Sequence, residues 1–358
     1  MVVGLVGLVL ASGAIIRNLV VTDWNATIFV AFGEGAPETL AYGEARLPNL
    51  EPRSEMGHDG KFFFIQANDP WLADPADNAS VLDRPLYRSQ RMFFPMLAGG
   101  FGLFGPETIV WTMLILNVLA LGAGTWLTAL VAKEMGGSVW WGLAFGLNVG
   151  LVSEMLVGGA GALAMMFVMA AVLAVHRGSA ASVAVLLGAA ALTREVMLVS
   201  AAGLAWWWWR RRDRRGAILI AMVPGVAVVA WAVYLRFRLG WHAGSAQVQE
   251  LGLPFVGFAR AFQLWIQGYA VNLMAGVAIM MLMVLFLRRL RISDWPVAWA
   301  AAGFVPVAVL FTRQVWFSYF DITRAVAPLI TAFLLVVFAA GRREPYPVSD
   351  ADTVGASS

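Results

Sequence analysis

Long apolar runs make up most of the chain, and a single long polar segment, roughly residues 22–90, interrupts them. The run before it, residues 1–21, is long enough for one membrane-spanning helix. No basic residue precedes its apolar core, and apolar residues continue past any alanine-rich cleavage site. We therefore predict an uncleaved first helix, with a cleaved signal peptide as the alternative.

After residue 106 the apolar runs follow one another at the lengths of membrane-spanning helices. Nine spans are predicted there, at residues 107–132, 139–156, 158–175, 180–192, 196–209, 217–236, 265–287, 295–311 and 325–340. Two of them, 180–192 and 196–209, are short, so the charges in the turn that joins them lie near a surface or in a cavity. With the first helix, the pattern predicts an all-α, polytopic transmembrane bundle of about ten spans.

The polar segment has two parts that differ in composition. Residues 22–56 are rich in Gly, Pro, Glu and Asp, which is typical of irregular surface structure. Residues 61–65 are too few to span a membrane but aromatic enough to lie at its interface, and residues 86–103 are predicted to form an amphipathic or membrane-dipping element. The expected organisation is a first helix (1–21), a loop with interfacial helices (22–105), a multi-span bundle (106–341) and a disordered cytoplasmic tail (342–358).

Composition supports a membrane protein: 60% of the 358 residues are hydrophobic, 13% are charged, and the mean hydropathy is +0.74. A soluble domain has about twice that share of charge. The absence of cysteine excludes thiol chemistry and disulfides, and three scattered histidines argue against a histidine zinc site. The net charge of +3 comes from arginines beside helix ends, which indicates membrane topology and not nucleic-acid binding.

Loop charges predict the orientation of the bundle. One set of connections carries most of the basic residues, at Lys133, Arg177, 210–215, 288–291 and 342–343. By the positive-inside rule this face is cytoplasmic, and ten spans place both termini there. The opposite, extracytoplasmic face of the cell membrane then carries the polar segment and the loops at 193–195, 240–263 and 312–324.

The predicted extracytoplasmic loops contain the residues best suited to chemistry. Asp59 lies between two glycines, which permit tight turns and the close approach of a substrate. In a helix that is expected to start near residue 83 and to end at Pro95, Arg84, Arg88 and Arg91 stand at i, i+4 and i+7 and share one face. The other candidates on this side are His58, Tyr87, Arg194, Glu195, Asp321 and Arg324.

A carboxylate beside several arginines at an outer membrane surface indicates an anionic substrate that resides in lipid. Guanidinium forks bind phosphate bidentately and stabilise the charge that develops on a phosphate leaving group. Asp59 would act as the general base toward an acceptor hydroxyl. This chemistry fits an inverting glycosyltransferase whose donor is a sugar linked to polyprenyl phosphate and whose acceptor is a glycan, a lipid or a protein.

Two short stretches carry a resemblance to a known family. Residues 57–63 (GHDGKFF) and 83–91 (DRPLYRSQR) are similar to a Tyr-Asp-Gly-Gln-Phe-Tyr and a Tyr-Arg-Tyr-Gln-Arg pattern in uncharacterised bacterial members of the GT-C superfamily of integral membrane glycosyltransferases. His58 replaces the tyrosine and Lys61 the glutamine, and residues 192–195 resemble a further stretch of those proteins. The order of a first helix, a long outer loop with an aspartate and a multi-span bundle also looks like GT-C.

The resemblance implies a lipid-linked donor and assigns the role of base to Asp59. Some members of the superfamily bind a divalent cation through further acidic residues. No second acidic motif pairs clearly with Asp59 in this sequence, so no residue is assigned as a metal ligand and a divalent cation stays an open alternative.

The candidate residues also have structural interpretations. Asp59 could cap an interfacial helix, and the arginine face could contact lipid head groups. Arg194 and Glu195 could form an ion pair that seals the ends of two short helices.

The remaining candidate residues also have structural interpretations. Asp321 and Arg324, at i and i+3, could pair with each other at a helix start. His58 is more typical of an interfacial polar side chain than of a ligand. The aromatic run 62–64 favours membrane docking, with the wall of an acceptor groove as its alternative.

Two rival functions follow from the same pattern. A secondary transporter places charges and broken helices near the midplane and often has two similar halves, whereas here the charges gather at one predicted face without an internal repeat. A noncatalytic membrane protein that binds lipid phosphate would need the arginines but not Asp59.

Overall fold

The computed structural model describes residues 1–211, 213–240, 251–291 and 293–339. Every regular element in this part is helical, and pairing of the β type is confined there to two isolated bridges, Gly33 with Arg53 and Leu251 with Phe311. The prediction of an all-α protein is confirmed. The predicted cytoplasmic tail, 342–358, and most of the first half of the 240–263 loop lie outside the described residues.

The α-helices fall into a first helix, short helices of the polar segment, and the bundle. They are α1 (Val2–Val21), α2 (Pro37–Glu44), α3 (Gly60–Asn68), α4 (Pro75–Val81), α5 (Pro85–Arg88), α6 (Phe93–Ala98), α7 (Pro106–Glu134), α8 (Leu143–Gly146), α9 (Val149–Met155), α10 (Gly161–His176), α11 (Ala180–Thr193), α12 (Leu198–Arg210), α13 (Arg214–Leu239), α14 (Val256–Trp265), α15 (Ala270–Leu290), α16 (Pro296–Ala302), α17 (Phe304–Leu310), α18 (Arg313–Phe317), α19 (Tyr319–Ala325) and α20 (Ala327–Leu334).

Within the described residues, four helices are long and apolar enough to cross a membrane: α1, α7, α13 and α15. A fifth span forms if α19 and the helical segment Ala327–Ala339, which meet at a bend of 67°, are counted together. A polytopic helical membrane protein is consistent with these helices. The count of ten spans stays a prediction, since α10, α11 and α12 have only 16, 14 and 13 residues.

The predicted span at 139–156 is not one helix. It consists of a 3-10 turn at Val139–Gly142 followed by α8 and α9. Asn148 causes the break, because its side chain accepts a hydrogen bond from the Gly150 N–H and caps α9. Its amide also donates to the Ala327 carbonyl at 3.0 Å, which ties the broken segment to α20.

The predicted span at 295–311 is likewise divided, into α16 and α17 on either side of Gly303. The predicted span at 325–340 begins as α20 and continues as a π-helical turn at Leu335–Ala339. Broken helices of this kind bring polar backbone and side chains into a bundle, and they occur where a polar cavity lies nearby.

The polar segment is folded, and its elements differ from those expected. The amphipathic element at 86–103 is broken: α5 ends at Arg88 and α6 begins at Phe93. Pro95 does not end a helix as predicted, because it lies in the first turn of α6, where a backbone N–H has no helical partner to lose. The aromatic run 62–64 is buried in α3, and its prediction as an interfacial membrane-docking segment is therefore wrong.

The first helix packs directly along α7. A Cβ at Gly7 would lie only 2.6 Å from the Thr125 hydroxyl oxygen, so the two backbones approach as closely as small residues allow in membrane bundles. Helix α7 also packs against α10, which makes it the centre of the hydrophobic core.

The last turns of α13 hold the polar segment over the bundle. The Trp231 indole donates to the Ser89 carbonyl at 2.8 Å, and the Tyr234 hydroxyl donates to the Trp71 carbonyl. The Arg238 guanidinium donates to the Leu72 carbonyl. Because Ser89 directly follows Arg88, these contacts fix the part of the segment that carries the arginines.

Candidate functional site

All ten residues predicted for the site line one cavity of about 410 Å³, although they lie between positions 58 and 324 of the chain. The cavity forms where the start of α3, the helix α5, the turn between α11 and α12, and the helix α19 meet. The predicted residues in its wall are His58, Asp59, Arg84, Tyr87, Arg88, Arg91, Arg194, Glu195, Asp321 and Arg324.

Asp59 stands at the start of α3, but its side chain makes no capping hydrogen bond. One carboxylate oxygen accepts a bond of 3.0 Å from Arg88, and the other accepts a bond of 2.8 Å from Arg324. Gly57 fixes the approach to α3, because its φ of +73° is left-handed and a Cβ there would collide with the Ala31 carbonyl oxygen. The capping interpretation of Asp59 is therefore wrong, and its carboxylate faces the cavity between two arginines.

Arg88 is held by two carboxylates and a ring. It donates to both oxygens of Asp83 at 2.9 and 3.0 Å, in the fork geometry typical of arginine, and it also bonds Asp59. Its guanidinium lies 3.8 Å from the centre of the Phe62 ring. The Phe62 side chain, expected at the membrane interface, thus forms part of the cavity wall.

Arg91 makes the second fork of the site, to Glu195. Its Nε and Nη2 donate to the two carboxylate oxygens at 2.9 and 2.8 Å, and Nη2 also donates to the Tyr87 hydroxyl. Burial opposes ionisation of Glu195, but the Arg91 guanidinium outweighs it and holds the pKa of Glu195 below its usual range. The bond joins the polar segment to the turn between α11 and α12.

The three arginines of the polar segment do not share the face of one helix. Helix α5 has only four residues, so Arg84 precedes it, Arg88 ends it and Arg91 follows it. They still converge, because the chain turns after Arg88. Arg84 is the most exposed of the three; it pairs with Asp83 at 3.6 Å and stacks over Tyr87 at 4.5 Å.

Glu154, at the end of α9, is the central residue that the sequence analysis missed. Its side chain is only 2% exposed and accepts two bonds of 2.8 Å from Arg194, and it lies 3.6 Å from Arg324. A Cβ at Gly161 would collide with the Glu154 carboxylate, so the glycine-rich turn after α9 makes room for this pair. The sequence contained one signal, because a lone ionisable residue inside a predicted span is rarely without a function.

These contacts contradict one structural interpretation and support another. Arg194 and Glu195 do not pair with each other, since Arg194 bonds Glu154 and Glu195 bonds Arg91. Asp321 and Arg324 do approach each other, at 3.6 Å, but the shorter contact of Arg324 is to Asp59. Arg194 thus binds a residue of α9, and Arg324 binds Asp59 at the start of α3.

The charges of the cavity are unbalanced toward the positive. The lining residues include six cationic and four carboxylate side chains, and Glu154, which lies outside the lining but binds Arg194, leaves an excess of one positive charge. The Nε atoms of Arg194 and Arg324 are buried without a hydrogen-bond partner among the described residues. A buried donor without a partner is costly, so the hydrogen bonding of these two guanidinium groups is incomplete.

Asp59 is a stable anion in this arrangement. Burial raises the pKa of its carboxyl, but the guanidinium groups of Arg324 and Arg88 outweigh burial and hold that pKa well below its usual range. A carboxylate of such low pKa is a weak base as long as both ion pairs persist. Basicity at Asp59 therefore depends on something that draws the arginines away.

His58 lines the same cavity. Burial and the nearby charge of Arg53 lower the pKa of its imidazole, so the ring is neutral at pH 7. The ring centre lies 5.3 Å from that of Phe320. A neutral imidazole can donate one hydrogen bond and accept another, which suits it to contact a hydroxyl-bearing ligand.

No cluster of three or more His, Asp or Glu side chains that could hold a metal ion occurs in the described ranges. The acidic residues of the cavity pair with arginines instead, and a divalent cation stays an open alternative.

Comparison of the chain with protein-family models, with curated proteins and with solved structures gives no match.

Proposed function

We propose that this chain is a membrane glycosyltransferase that moves a sugar from a polyprenyl-phosphate donor to an extracytoplasmic acceptor with inversion at the anomeric carbon. The observation that carries the proposal is the position of Asp59 between Arg88 and Arg324, in a cavity with an excess of positive charge. The resemblance of residues 57–63 and 83–91 to GT-C proteins points to the same reaction.

The arginines bind the donor phosphate in this proposal. Arg88, Arg194 and Arg324 line the cavity, and their side chains are 13%, 14% and 8% exposed. Cations fixed in a partly buried site stabilise the negative charge that builds up on the phosphate as it leaves, and the fold pays no reorganisation cost at that moment.

Asp59 acts as the base after the donor arrives. A phosphate that competes for Arg88 and Arg324 weakens both ion pairs and raises the basicity of Asp59. Asp59 then takes the proton of the acceptor hydroxyl while that oxygen forms a bond to the anomeric carbon. The bond from this carbon to the phosphate oxygen breaks, and polyprenyl phosphate leaves with the electron pair.

The membrane arrangement is part of the proposal. Ten spans with both termini in the cytoplasm would put the cavity on the extracytoplasmic face, and α19, the first half of the broken segment α19–α20, forms part of its wall. A GT-C-like architecture would place the donor phosphate in this cavity and the polyprenyl chain in the bilayer.

The simplest rival is a noncatalytic protein that binds lipid phosphate. It is favoured by one observation, the complete engagement of Asp59 by arginines. Both functions predict binding of polyprenyl phosphate, but only the enzyme releases it from a sugar-linked donor.

The test uses purified full-length protein in vesicles that contain one polyprenyl-phosphate-linked sugar at a time, with membrane extract as a source of acceptor. Free polyprenyl phosphate is measured by mass spectrometry. The proposal predicts release that depends on both protein and acceptor with at least one donor. Tight binding of polyprenyl phosphate without release from any donor would identify a binder.

A further inference from the structure

A second, smaller cavity lies at the other end of α12 from the candidate site. The first cavity is lined by Arg194 and Glu195, just before α12, and the second by Arg210, its last residue. A helix of 13 residues separates them by about 20 Å. The second cavity, of about 400 Å³, is formed by the ends of α12 and α15 and the start of α16, and by the proposed orientation it opens at the cytoplasmic face.

The wall of this cavity is rich in hydrogen-bond donors. It consists of Arg210, Leu290, Arg291, Ser293, Asp294 and Trp299. The Ser293 hydroxyl and the Trp299 indole nitrogen are buried and have no hydrogen-bond partner among the described residues. Since buried donors are almost always satisfied in folded proteins, these two indicate that an acceptor belongs there.

The single carboxylate of the cavity is already neutralised. Asp294 accepts a bond of 2.7 Å from Arg211 and lies 3.7 Å from Arg210. The Arg210 guanidinium lies 5.0 Å from the centre of the Trp299 ring, which holds its charge at the edge of the cavity. Arg210 and Arg291 bring two positive charges to the cavity, and its single carboxylate, Asp294, is shared between Arg211 and the more distant Arg210.

We propose that this cavity binds a phosphate group, supplied by the head group of an anionic membrane lipid. Arginines match phosphate oxygens in charge and geometry, and basic pockets between helix ends at a cytoplasmic surface are suited to lipid head groups. The hydroxyl of Ser293 and the indole N–H of Trp299 complete the set of donors. This site is independent of the catalytic proposal, because none of its residues lines the first cavity.

Helix dipoles give Arg210 and Arg291 another role, since cations stabilise helix C-termini without any ligand. The two explanations predict different effects of lipid. A dipole contribution changes the stability of the protein equally with and without anionic lipid. A phosphate site changes the stabilisation that the lipid itself provides, because a ligand that binds the folded state stabilises it by an amount that depends on the ratio of ligand concentration to Kd.

The experiment measures the melting temperature of the full-length protein in neutral detergent against short-chain phosphatidylglycerol, short-chain phosphatidylcholine and inorganic phosphate. The variants are Arg210→Gln with Arg291→Gln, and Ser293→Ala, which keeps every charge. The matched control is Arg288→Gln with Arg289→Gln, which removes two charges at the end of α15 outside the cavity.

Phosphatidylglycerol should raise the melting temperature of the wild type and phosphatidylcholine should not. The apparent affinity should fall about tenfold or more in the arginine double variant, fall measurably in Ser293→Ala, and stay unchanged in the control. A rise with inorganic phosphate that is lost in the arginine double variant would support the site with free phosphate as a source. Equal loss in the control and in the cavity variant, or no rise in the wild type, would overturn the proposal.

Discussion

The guanidinium of Arg324 lies 2.8 Å from the carboxylate of Asp59, although 265 positions of the chain separate the two residues. Glu154 approaches the same guanidinium at 3.6 Å and binds Arg194 through both oxygens. The bundle and the polar segment are therefore connected by ion pairs that continue from α9 through α19 to α3. We expect this network to have separate parts for stability and for binding.

Glu154 is predicted to be a structural member of the network. Glu154→Gln keeps the shape of the side chain but leaves Arg194 and Arg324 without its charge, and breaking a buried ion pair costs about 3–5 kcal/mol. The measurement is the free energy of unfolding in detergent. Glu107→Gln, an exposed carboxylate at the start of α7, is the control and should change it by less than about 0.5 kcal/mol. Equal effects of both variants would show that Glu154 contributes no specific pairing.

Arg88 and Arg194 are predicted to bind the donor phosphate through the shape of the guanidinium. Arg88→Ala and Arg194→Ala should weaken binding of polyprenyl phosphate, and lysine at either position should restore little, because an ammonium cannot make the fork. The loss for Arg88→Lys should reach about tenfold.

Arg84→Lys serves as the matched control for the binding series. Arg84 lines the same cavity, but its ion pair with Asp83 is long, at 3.6 Å, and its side chain is 32% exposed. Its substitution should leave affinity within about twofold. If lysine supports full binding at position 88 as well, the site acts by general electrostatics.

Asp59 is predicted to stabilise the folded protein at neutral pH and to lose that effect only in acid. Its pKa in the folded protein lies below the unfolded value of about 3.9, because the attraction of Arg324 and Arg88 exceeds the effect of burial. A depressed pKa gives stability that is present above the unfolded pKa and is lost as the pH falls through the folded pKa.

The free energy of unfolding should therefore be compared between the wild type and Asp59→Asn from pH 3 to pH 8. The difference between them should be constant above about pH 5 and should shrink below about pH 4. A difference that changes between pH 6 and pH 8 would mean that Asp59 titrates there, contrary to the ion pairs in the structure.

The orientation can be tested with single cysteines, since the chain has none of its own. Ala76, on α4, and Glu134, at the end of α7, are both exposed and belong to opposite predicted faces. In sealed cells an impermeant thiol reagent should label Ala76→Cys and not Glu134→Cys. Both should react after permeabilisation, and labelling of Glu134→Cys in sealed cells would reverse the orientation and move the cavity to the cytoplasm.

Local pattern was sufficient to predict helices and the residues of the cavity, but not the way in which they meet. The spacing of Arg84, Arg88 and Arg91 suggested one helical face, whereas a chain turn after α5 brings them together. Asp83 was interpreted only as a helix-start signal, yet it binds Arg88 through both oxygens. Such contacts depend on tertiary packing, which periodicity does not contain.

Two further differences have the same origin. Asn148 divides a predicted span because its partners, Ala327 and Thr331, lie on α20. Glu154 was included in that span as one charge among apolar residues, and its role became evident only when Arg194 and Arg324 were found beside it. A polar residue inside an apolar run is a signal that hydropathy averages remove.

The most direct test of the central claim is the behaviour of Asp59→Asn, which keeps the shape of the side chain but cannot accept the proton. The account predicts that the variant still folds and binds polyprenyl phosphate, because the phosphate contacts come from arginines, while turnover falls by about 10²–10⁴-fold. Asp59→Glu should recover little, since the carboxylate moves by a methylene. Unchanged turnover in Asp59→Asn would contradict the assignment of Asp59 as the base, and loss of donor binding together with turnover would give it a structural role instead.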